Sequence, residues 1–521
     1  MSREEFMHLK DLPRSYWLAS TETTEYPELR EDITVETLIV GGGMVGIMTA
    51  FLLQKEGIQT AILEADRIVM GTTAHTTAKI TSQHGLIYEK IKTQRGIDVA
   101  RQYADANETA IREIENIAQA CKIECDYLPQ TAVVYTQKAI NVGKIENELK
   151  TAQELGIKAS WVDEIPFPIP IKGGMKFEEQ AQFHPRKFLL PLAKKIASEG
   201  VQIYEKSRAV DLEYGDKIVV MTAQKKKVTA NRVIIASHYP FYNKHGMYFS
   251  RIYTERAYAI AFTAKEKYPG GMYINAEDPS RSLRFQPYKE GELIIAVGEN
   301  HKTGQGDDMN SHYLKLIEFA DEVFPMQDLL YRWSTQDCMT LDGVPYVGLY
   351  QSDKPNLYVA TGFEKWGMSN SMASAILLRD LIVKGESPWQ EAYDPSRKNI
   401  AGQIKSFIVE NADVAKHLIK GKLAPVPDDV DIEQGEGKVI EAEGGRTGAY
   451  RDDKGKLHLV NTTCTHMGCE LNWNSAERSW DCPCHGSRFT WTGDILEGPA
   501  VEPLTADHDV NTVEKLMKDE Y

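Results

Sequence analysis

Two short loops in the last sixty residues of the sequence each offer one thiol and one imidazole. The first contains Cys464-Thr-His466, and the second contains Cys482-Pro-Cys-His485. This spacing predicts a [2Fe-2S] cluster in which Cys464 and Cys482 bind one iron while His466 and His485 bind the other. Zinc also accepts two cysteines and two histidines. The order Cys-x-His followed by Cys-x-x-His, with a further cysteine in each loop, favours the iron cluster.

These loops, residues 464–487, resemble those of the Rieske proteins of the cytochrome bc1 and b6f type. The resemblance implies a disulfide between Cys469 and Cys484 and a hydrogen bond from Ser487 to a cluster sulfur. Because most cytosolic proteins avoid disulfides, we expect the cluster loops to shield this one. Phe489 stands where the high-potential members have tyrosine. Loss of a hydrogen bond worth ~1.4 kcal/mol would lower the potential by roughly 60 mV, to a value still above that of plant-type ferredoxins.

A glycine-rich turn near the start of the sequence predicts a dinucleotide site. Gly41, Gly43 and Gly46 fit the G-x-G-x-x-G pattern, in which the backbone turns tightly and approaches a pyrophosphate. An apolar strand precedes the turn and a helix to about Lys55 follows it, so the positive end of the helix faces the phosphates. The next strand is predicted over Thr60–Leu63, and Glu64 at its end is expected to bind the adenosine ribose. The predicted contacts here are Gly41, Gly43, Met44, Val45, Gly46 and Glu64.

Three further segments favour FAD as the dinucleotide. They are Gly71–Lys79, Asp342–Gly348 and Leu357–Ser369, and they resemble the D-amino-acid oxidase and glycine oxidase superfamily of FAD-dependent oxidoreductases. The resemblance covers residues 33 to about 395 and implies that the late glycine loop, which contains Gly362 and Gly367, lies against the isoalloxazine ring. It adds to the predicted FAD contacts Thr72, Thr73, His75, Gly362, Gly367 and Met368.

His75 has two interpretations. It follows Gly71-Thr-Thr-Ala much as the flavin-linked histidine follows its motif in dimethylglycine dehydrogenase-like proteins, a resemblance that implies a covalent bond to the flavin. The simpler interpretation is a histidine that is hydrogen-bonded near the flavin or its phosphates. The sequence is compatible with both.

The predicted fold class is α/β followed by all-β. A Rossmann-like FAD domain is interleaved with an antiparallel-sheet substrate domain, and a small all-β Rieske domain follows a helix and the prolines at 425 and 427. Candidate pocket walls are Tyr258, Arg284, Trp333 and Trp366. The predicted parts are an extension over 1–32, the FAD oxidoreductase over 33–395 with its substrate part near 125–185 and 241–330, a helical linker over 396–424, the Rieske domain over 425–510 and a tail over 511–521.

Composition excludes several classes of partner. The net charge of −15 argues against binding to nucleic acid or to an anionic membrane surface. Residues 1–17 lack the apolar stretch of a signal peptide, and the apolar run 38–53 is too short and glycine-rich to span a bilayer comfortably. The sequence therefore predicts a cytoplasmic protein. Cys121 and Cys125, at helical spacing, are expected to be packed thiols rather than metal ligands.

The two cofactors together predict an electron relay. The expected function is an FAD-dependent dehydrogenase that oxidises a C–N bond of an amine or amino-acid-like substrate, as the resemblance implies, and passes electrons through the cluster to a one-electron acceptor protein. The direction of flow is left open. The alternative is an electron-transfer or redox-sensing module that relays electrons to or from a protein partner. A Rieske oxygenase is disfavoured because the sequence offers no second run of iron ligands.

The substrate and the catalytic residues are left open. Related N-methyl amino-acid oxidases have a lysine after the late glycine loop, where this sequence has Ser369. The resemblance therefore implies that one carboxylate anchor is missing, although Lys79, Arg284 or Lys365 could replace it. We expect a simple α-amino acid not to be the best substrate.

Overall fold

The computed structural model describes residues 12–242, 246–306, 308–397, 400–423, 431–442 and 445–505. The predicted tail 511–521 and the prolines at 425 and 427 lie outside these ranges.

The glycine-rich turn follows the central strand Ile33–Val40, which runs parallel to Thr60–Leu63 and Lys227–Ile235 and ends level with both. The sheet's main path is, in spatial order, Tyr346–Leu349, Leu357–Thr361, Lys227–Ile235, Ile33–Val40, Thr60–Leu63 and Gln202–Tyr204, with Ala209–Glu213 and Ile218–Thr222 branching from it.

The helix after the glycine-rich turn, Met44–Lys55, is apolar on all sides because it is buried on all sides. Its residues 44–53 are all buried, and it packs on the helix Gly367–Lys384. The apolar run 38–53 is thus a buried strand, a turn and a buried helix. None of the helices in the described ranges is long and apolar enough to cross a membrane. The other helices are Tyr16–Ala19, Tyr88–Arg95, Ile97–Ala120, Ala139–Glu154, Pro185–Ser198, Asn310–Val323, Gln390–Tyr393 and Ile400–Leu423.

A second sheet of nine strands lies against this unit. Its main path is Met326–Thr340, Ile252–Ala264, Gly291–Lys302, Arg281–Tyr288, Met272–Asn275, Leu128–Thr136, Gly173–Gln182 and Lys79–Ile80, with Ala159–Val162 beside Gly173–Gln182. The sheet is antiparallel except for one parallel pair, Met272–Asn275 with Leu128–Thr136. Alternate residues of each strand face opposite sides. One side, with Ala259 and Trp333, joins the core of the first unit. The outer side, with Tyr258, is covered by the helix Asn310–Val323.

The remaining strands form two small antiparallel sheets. Their strands are Gly437–Ala442, Gly445–Arg451 and Leu457–Asn461 in one, and Asn472–Asn474, Ser479–Asp481, Arg488–Thr490 and Ile495–Glu497 in the other. The helix Ile400–Leu423 carries Val414 and Leu418 against the core of this region. Phe407 and Ile408, which the sequence pattern places on the same apolar stripe, are exposed. On that stretch the contacts are polar, since Lys302 pairs with Glu410 and Asp413.

Candidate functional site

The glycine-rich turn forms a backbone cradle that excludes side chains. Gly41 has a φ of +119°, and a Cβ there would lie 2.3 Å from the carbonyl oxygen of Ala236. A Cβ on Gly46 would lie 1.9 Å from the carbonyl oxygen of Gly41. The turn therefore keeps this tight path only with glycine at both positions, which fits the close approach of a pyrophosphate.

The start of the following helix fits an anionic group. Gly43 is its N-cap and supplies no side-chain acceptor, so the first N–H groups face outward with the positive end of the helix dipole. Thr73 lies beside them, with its Oγ1 3.3 Å from the Met44 N–H. Glu64 closes the site by accepting from the Gly42 N–H at 2.7 Å. Burial raises the pKa of Glu64, while its backbone donors oppose that rise. The set fits the diphosphate and ribose of FAD.

The other predicted FAD residues gather along the strand Met326–Thr340. Thr72 Oγ1 donates to the Gln336 carbonyl at 3.4 Å, and the Trp333 indole donates to the His75 carbonyl at 2.9 Å. Gly362 has a φ of +75°, and a Cβ there would lie 2.3 Å from Thr340. Beyond it, Gly367 begins a helix in which Met368 is buried. The two loops that are predicted to contact the flavin, one with Thr72 to His75 and the other with Gly362 and Gly367, thus meet one strand of the second sheet. They are called the flavin loops below.

This strand presents different groups on its two sides. Trp333, Thr335 and Asp337 share the side that faces the flavin loops, because they alternate along a regular antiparallel pairing. The hydroxyl of Thr335 is buried and has no partner among the described residues, as expected beside a cofactor or ligand. Gln336 faces the opposite side. The sequence analysis missed Thr335 and Asp337, whose alternation with Trp333 was the available signal.

The candidate pocket walls separate into two groups. Trp333 faces the flavin loops, and Trp366 stacks on the buried His84 with ring centroids 5.1 Å apart. Tyr258 was wrongly placed, because it lies on the outer side and packs against Tyr313. Arg284 stabilises the backbone just before the strand Lys79–Ile80, since it donates to the carbonyls of residues 77 and 78 at 2.9 and 3.0 Å.

The four predicted cluster ligands lie together. The thiols of Cys464 and Cys482 are within hydrogen-bonding distance of each other, and the rings of His466 and His485 have centroids 5.0 Å apart. Each ring has a buried Nδ1 with no hydrogen-bond partner in the described part of the chain. Two orphaned imidazole nitrogens beside two thiols are the donor set of a Rieske cluster, so these residues fit the group.

The two remaining cysteines of the loops are joined to each other. Cys469 and Cys484 form a disulfide and are both buried. The sulfurs of Cys469, Cys482 and Cys484 lie within 4.8 Å of one another, but of these three only Cys482 keeps a free thiol. The Ser487 hydroxyl is hydrogen-bonded to the Cys464 thiol and accepts from the Ala500 N–H at 3.0 Å. Ser487 thus lies beside a predicted ligand.

The cluster loops are held against the flavin-binding part of the chain. Phe249 lies beside both histidines, with ring centroids 5.9 Å from His485 and 6.4 Å from His466. The Gln336 side chain donates to the Gly486 carbonyl at 2.9 Å. Ion pairs reinforce the contact, since Arg256, 1% exposed, lies 3.1 Å from Glu497. His485 is buried as a result, whereas His466 stays half-exposed.

We expect Gly46→Ala to weaken FAD binding roughly tenfold to a hundredfold. The added methyl group would displace the Gly41 carbonyl, and overpacking of this kind costs ~1–3 kcal/mol. Flavin content per chain and the dissociation constant for FAD are the measurements. Gly143→Ala is the matched control, because its Cβ would meet nothing within 4 Å. Equal flavin affinity in both variants would contradict the assignment of this turn to FAD.

Two family profiles match the chain. The FAD dependent oxidoreductase (DAO) profile matches residues 36–381, and the Rieske [2Fe-2S] domain profile matches residues 422–513. YhfW of Bacillus subtilis (strain 168), named as a Rieske 2Fe-2S iron-sulfur protein, is 42% identical over 496 residues, which are 95% of this chain and 97% of the relative. Gamma-glutamylputrescine oxidoreductase of Escherichia coli (strain K12) is 22% identical over 407 residues, which are 73% of this chain and 91% of the relative.

The fold also resembles solved structures. Glycine oxidase from Geobacillus kaustophilus superposes with a TM-score of 0.57 at 16% identity, covering 70% of this chain and 99% of that one. This likeness concerns the fold alone. The family profile and the relative that matches over nearly the full length carry the assignment. The chain is therefore a member of the FAD dependent oxidoreductase (DAO) family that carries a Rieske [2Fe-2S] domain, and its cofactors are FAD and the cluster.

Proposed function

We propose that the protein is a cytoplasmic FAD-dependent dehydrogenase that oxidises a C–N bond of an amine-type substrate and passes the electrons through the Rieske cluster to an external one-electron acceptor. FAD can take two electrons from an organic donor and release them singly, whereas the cluster carries one. In this proposal Cys464, His466, Cys482 and His485 hold the cluster. Oxygen is a poor acceptor, because an oxidase needs no one-electron relay.

The observation that carries the proposal is the double role of the strand Met326–Thr340. Its Thr335 and Asp337 face the flavin loops, while Gln336 between them donates to Gly486 in the cluster loop. One strand thus separates the two proposed sites. A Cβ on Gly486 would lie 2.1 Å from Thr254, so the loop is seated closely on the neighbouring strand. The half-exposed His466 is the proposed side of electron exit.

Two observations support the proposed substrate class, one relative and the residue at position 369. The name of one relative, gamma-glutamylputrescine oxidoreductase, refers to an amine, and an amine carries a C–N bond. Ser369 is buried and donates to the Thr81 carbonyl at 2.7 Å. It offers no cation for a substrate carboxylate.

We therefore expect glycine, sarcosine and D-alanine to reduce the flavin poorly, with kcat/KM well below the ~10⁴ M⁻¹s⁻¹ of dedicated enzymes. Anaerobic stopped-flow measurement of flavin bleaching gives this value for each compound. A kcat/KM at or above that level for any of the three would refute the prediction.

We expect the flavin to be bound without a covalent link. His75 Nδ1 lies 2.9 Å from the Gly71 carbonyl oxygen, an arrangement that matches the hydrogen-bonded interpretation. Acid precipitation should leave a yellow supernatant and a colourless pellet. Flavin fluorescence in the peptide that contains His75 would establish the covalent alternative.

The direct test of the proposed function is an anaerobic panel of amines, amino acids and hydroxy acids added to the oxidised protein. We expect an amine to bleach the flavin and then reduce the cluster. If no compound bleaches the flavin while a reduced electron-transfer protein does so, the chain is an electron-transfer module and not a dehydrogenase.

A further inference from the structure

Asp337 is a buried carboxylate without a partner. Its side chain is 8% exposed, and within the described ranges no hydrogen bond or ion pair engages it. An ionised carboxylate in this condition is costly, and burial raises the pKa of Asp337 to about 7. We therefore expect a bound ligand to supply the positive charge or the hydrogen-bond donor that Asp337 lacks in the protein.

The charged groups around Asp337 are mostly acidic. Glu255 lies directly opposite it on the neighbouring antiparallel strand, an arrangement that is destabilising for two like charges. Glu364 approaches from the late glycine loop, whose backbone N–H donates to the Cys338 carbonyl at 3.1 Å. Lys365 supplies one positive charge, which pairs with Glu255 at 2.7 Å and also lowers the pKa of Asp337, but by less than burial raises it. Glu497, in the strand Ile495–Glu497, adds a further negative charge that raises the pKa of Asp337.

A second orphaned acceptor belongs to a residue that is hydrogen-bonded to Glu255, the residue opposite Asp337. The amide of Asn300 donates to Glu255 at 3.2 Å, which fixes its orientation. The Asn300 Oδ1 is buried and has no hydrogen-bond partner among the described residues. A carboxylate and an amide oxygen, both unmatched, require donors. A cationic ligand with N–H groups would supply donors of this kind.

The side of the sheet that carries Asp337 is also the side of the flavin loops. Trp333, four residues earlier on the same side, donates to the His75 carbonyl at 2.9 Å. The small residues Ala257 and Ala259 lie opposite Thr335 and Trp333, so no bulky side chain of the neighbouring strand stands opposite these two residues. A ligand held by Asp337 would therefore lie next to the proposed flavin site.

We propose that Asp337, supported by Glu255, Glu364 and Asn300, binds the ammonium group of an alkylamine that lacks an α-carboxylate. A carboxylate on the carbon next to the nitrogen would enter a site that already holds three acidic side chains. This assignment names the substrate class of the proposed dehydrogenase and rests on that function.

The test compares pairs of compounds that differ by one carboxylate, namely phenethylamine with phenylalanine and tyramine with tyrosine. Binding to the oxidised, FAD-loaded protein is measured under anaerobic conditions from the shift in flavin absorbance in the first milliseconds after mixing. We expect each amine to bind at least about 30-fold more tightly than its amino acid, since a buried charge pair carries differences of this size. Equal or tighter binding of the amino acids would overturn the assignment.

Substitution provides the second arm. Asp337→Asn should weaken amine binding at least about 30-fold while FAD content is unchanged, and Asp337→Glu should restore part of it. Asp328→Asn, an exposed position on the same strand, is the matched control and should bind as the natural protein does. Undiminished binding by an FAD-loaded Asp337→Asn protein would overturn the assignment.

The failure of this site and the failure of the proposed function give different results. Amines that bind through Asp337 but leave the flavin oxidised would support the cation site and contradict C–N oxidation. A neutral or carboxylate-bearing compound that bleaches the flavin, with no binding of amines, would contradict the cation site and leave the dehydrogenase in place.

Discussion

His485→Leu is expected to leave flavin reduction by substrate intact while electron delivery to a one-electron acceptor falls at least about 100-fold. The substitution removes a proposed iron ligand, and even partners that only support a ligand are worth 10–100-fold in metal affinity. His485 touches the flavin-binding part of the chain through Phe249 and not through the glycine-rich turn. Stopped-flow measurement separates the two half-reactions, and iron content confirms that the cluster is absent.

His458→Leu is the matched control for this variant. His458 lies in the same small domain and pairs with Asp452 at 3.0 Å, away from the cluster loops. It should retain the cluster and the natural rate with the acceptor. If a cluster-free, FAD-loaded His485→Leu protein reduces oxygen and the acceptor as fast as the natural protein does, the cluster is not the exit path.

Asp342→Asn is expected to lower the free energy of unfolding by about 3–5 kcal/mol, because it leaves the buried Arg397 without its counter-ion. Two 2.8 Å hydrogen bonds join the two side chains, which are 1% and 3% exposed. Chemical denaturation of the FAD-loaded protein measures the change. Asp453→Asn is the control, since Asp453 is 55% exposed in its pair with Arg478 and should cost no more than about 1 kcal/mol.

The same pair predicts a dependence of stability on pH. Burial favours a higher pKa for Asp342, but the Arg397 guanidinium outweighs it and holds that pKa below its usual range. The stabilisation is therefore complete above the unfolded pKa of about 3.9 and is lost as the pH falls through the lower folded value. The Asn variant should lack this part of the acid dependence. An unchanged acid dependence in the variant would contradict the ion pair as its source.

The short-range features of the fold could be predicted from the sequence because their causes are local. The strand–turn–helix around Gly41 follows from apolar runs and glycine spacing, and the strand over residues 60–63 has the predicted bounds. The disulfide between Cys469 and Cys484 came from resemblance, and the structure contains it. The sequence also predicted an α/β unit with an interleaved sheet and a following all-β region, which the structure confirms.

The cluster of acidic side chains around Asp337 could not be predicted from the sequence, because it depends on the pairing of strands that lie far apart in the chain. Asp337 and Glu255 face each other only through a strand register that joins residues eighty positions apart. The exposed Phe407 and Ile408 illustrate the same limit, because the amphipathic pattern of their helix indicates a face but not whether a partner covers it. Tyr258 was misplaced because alternation along a strand does not state which side faces the flavin loops.

Rapid anaerobic mixing of a bleaching amine with the oxidised protein tests the central claim, that electrons pass from FAD to the cluster within one chain. Flavin absorbance reports the first step, and the electron paramagnetic resonance signal of freeze-quenched samples reports reduction of the cluster. We predict that the cluster is reduced after the flavin, with a first-order rate that does not change when the protein concentration is raised tenfold. A cluster that stays oxidised while the flavin is bleached, or a rate that rises in proportion to protein concentration, would contradict the account.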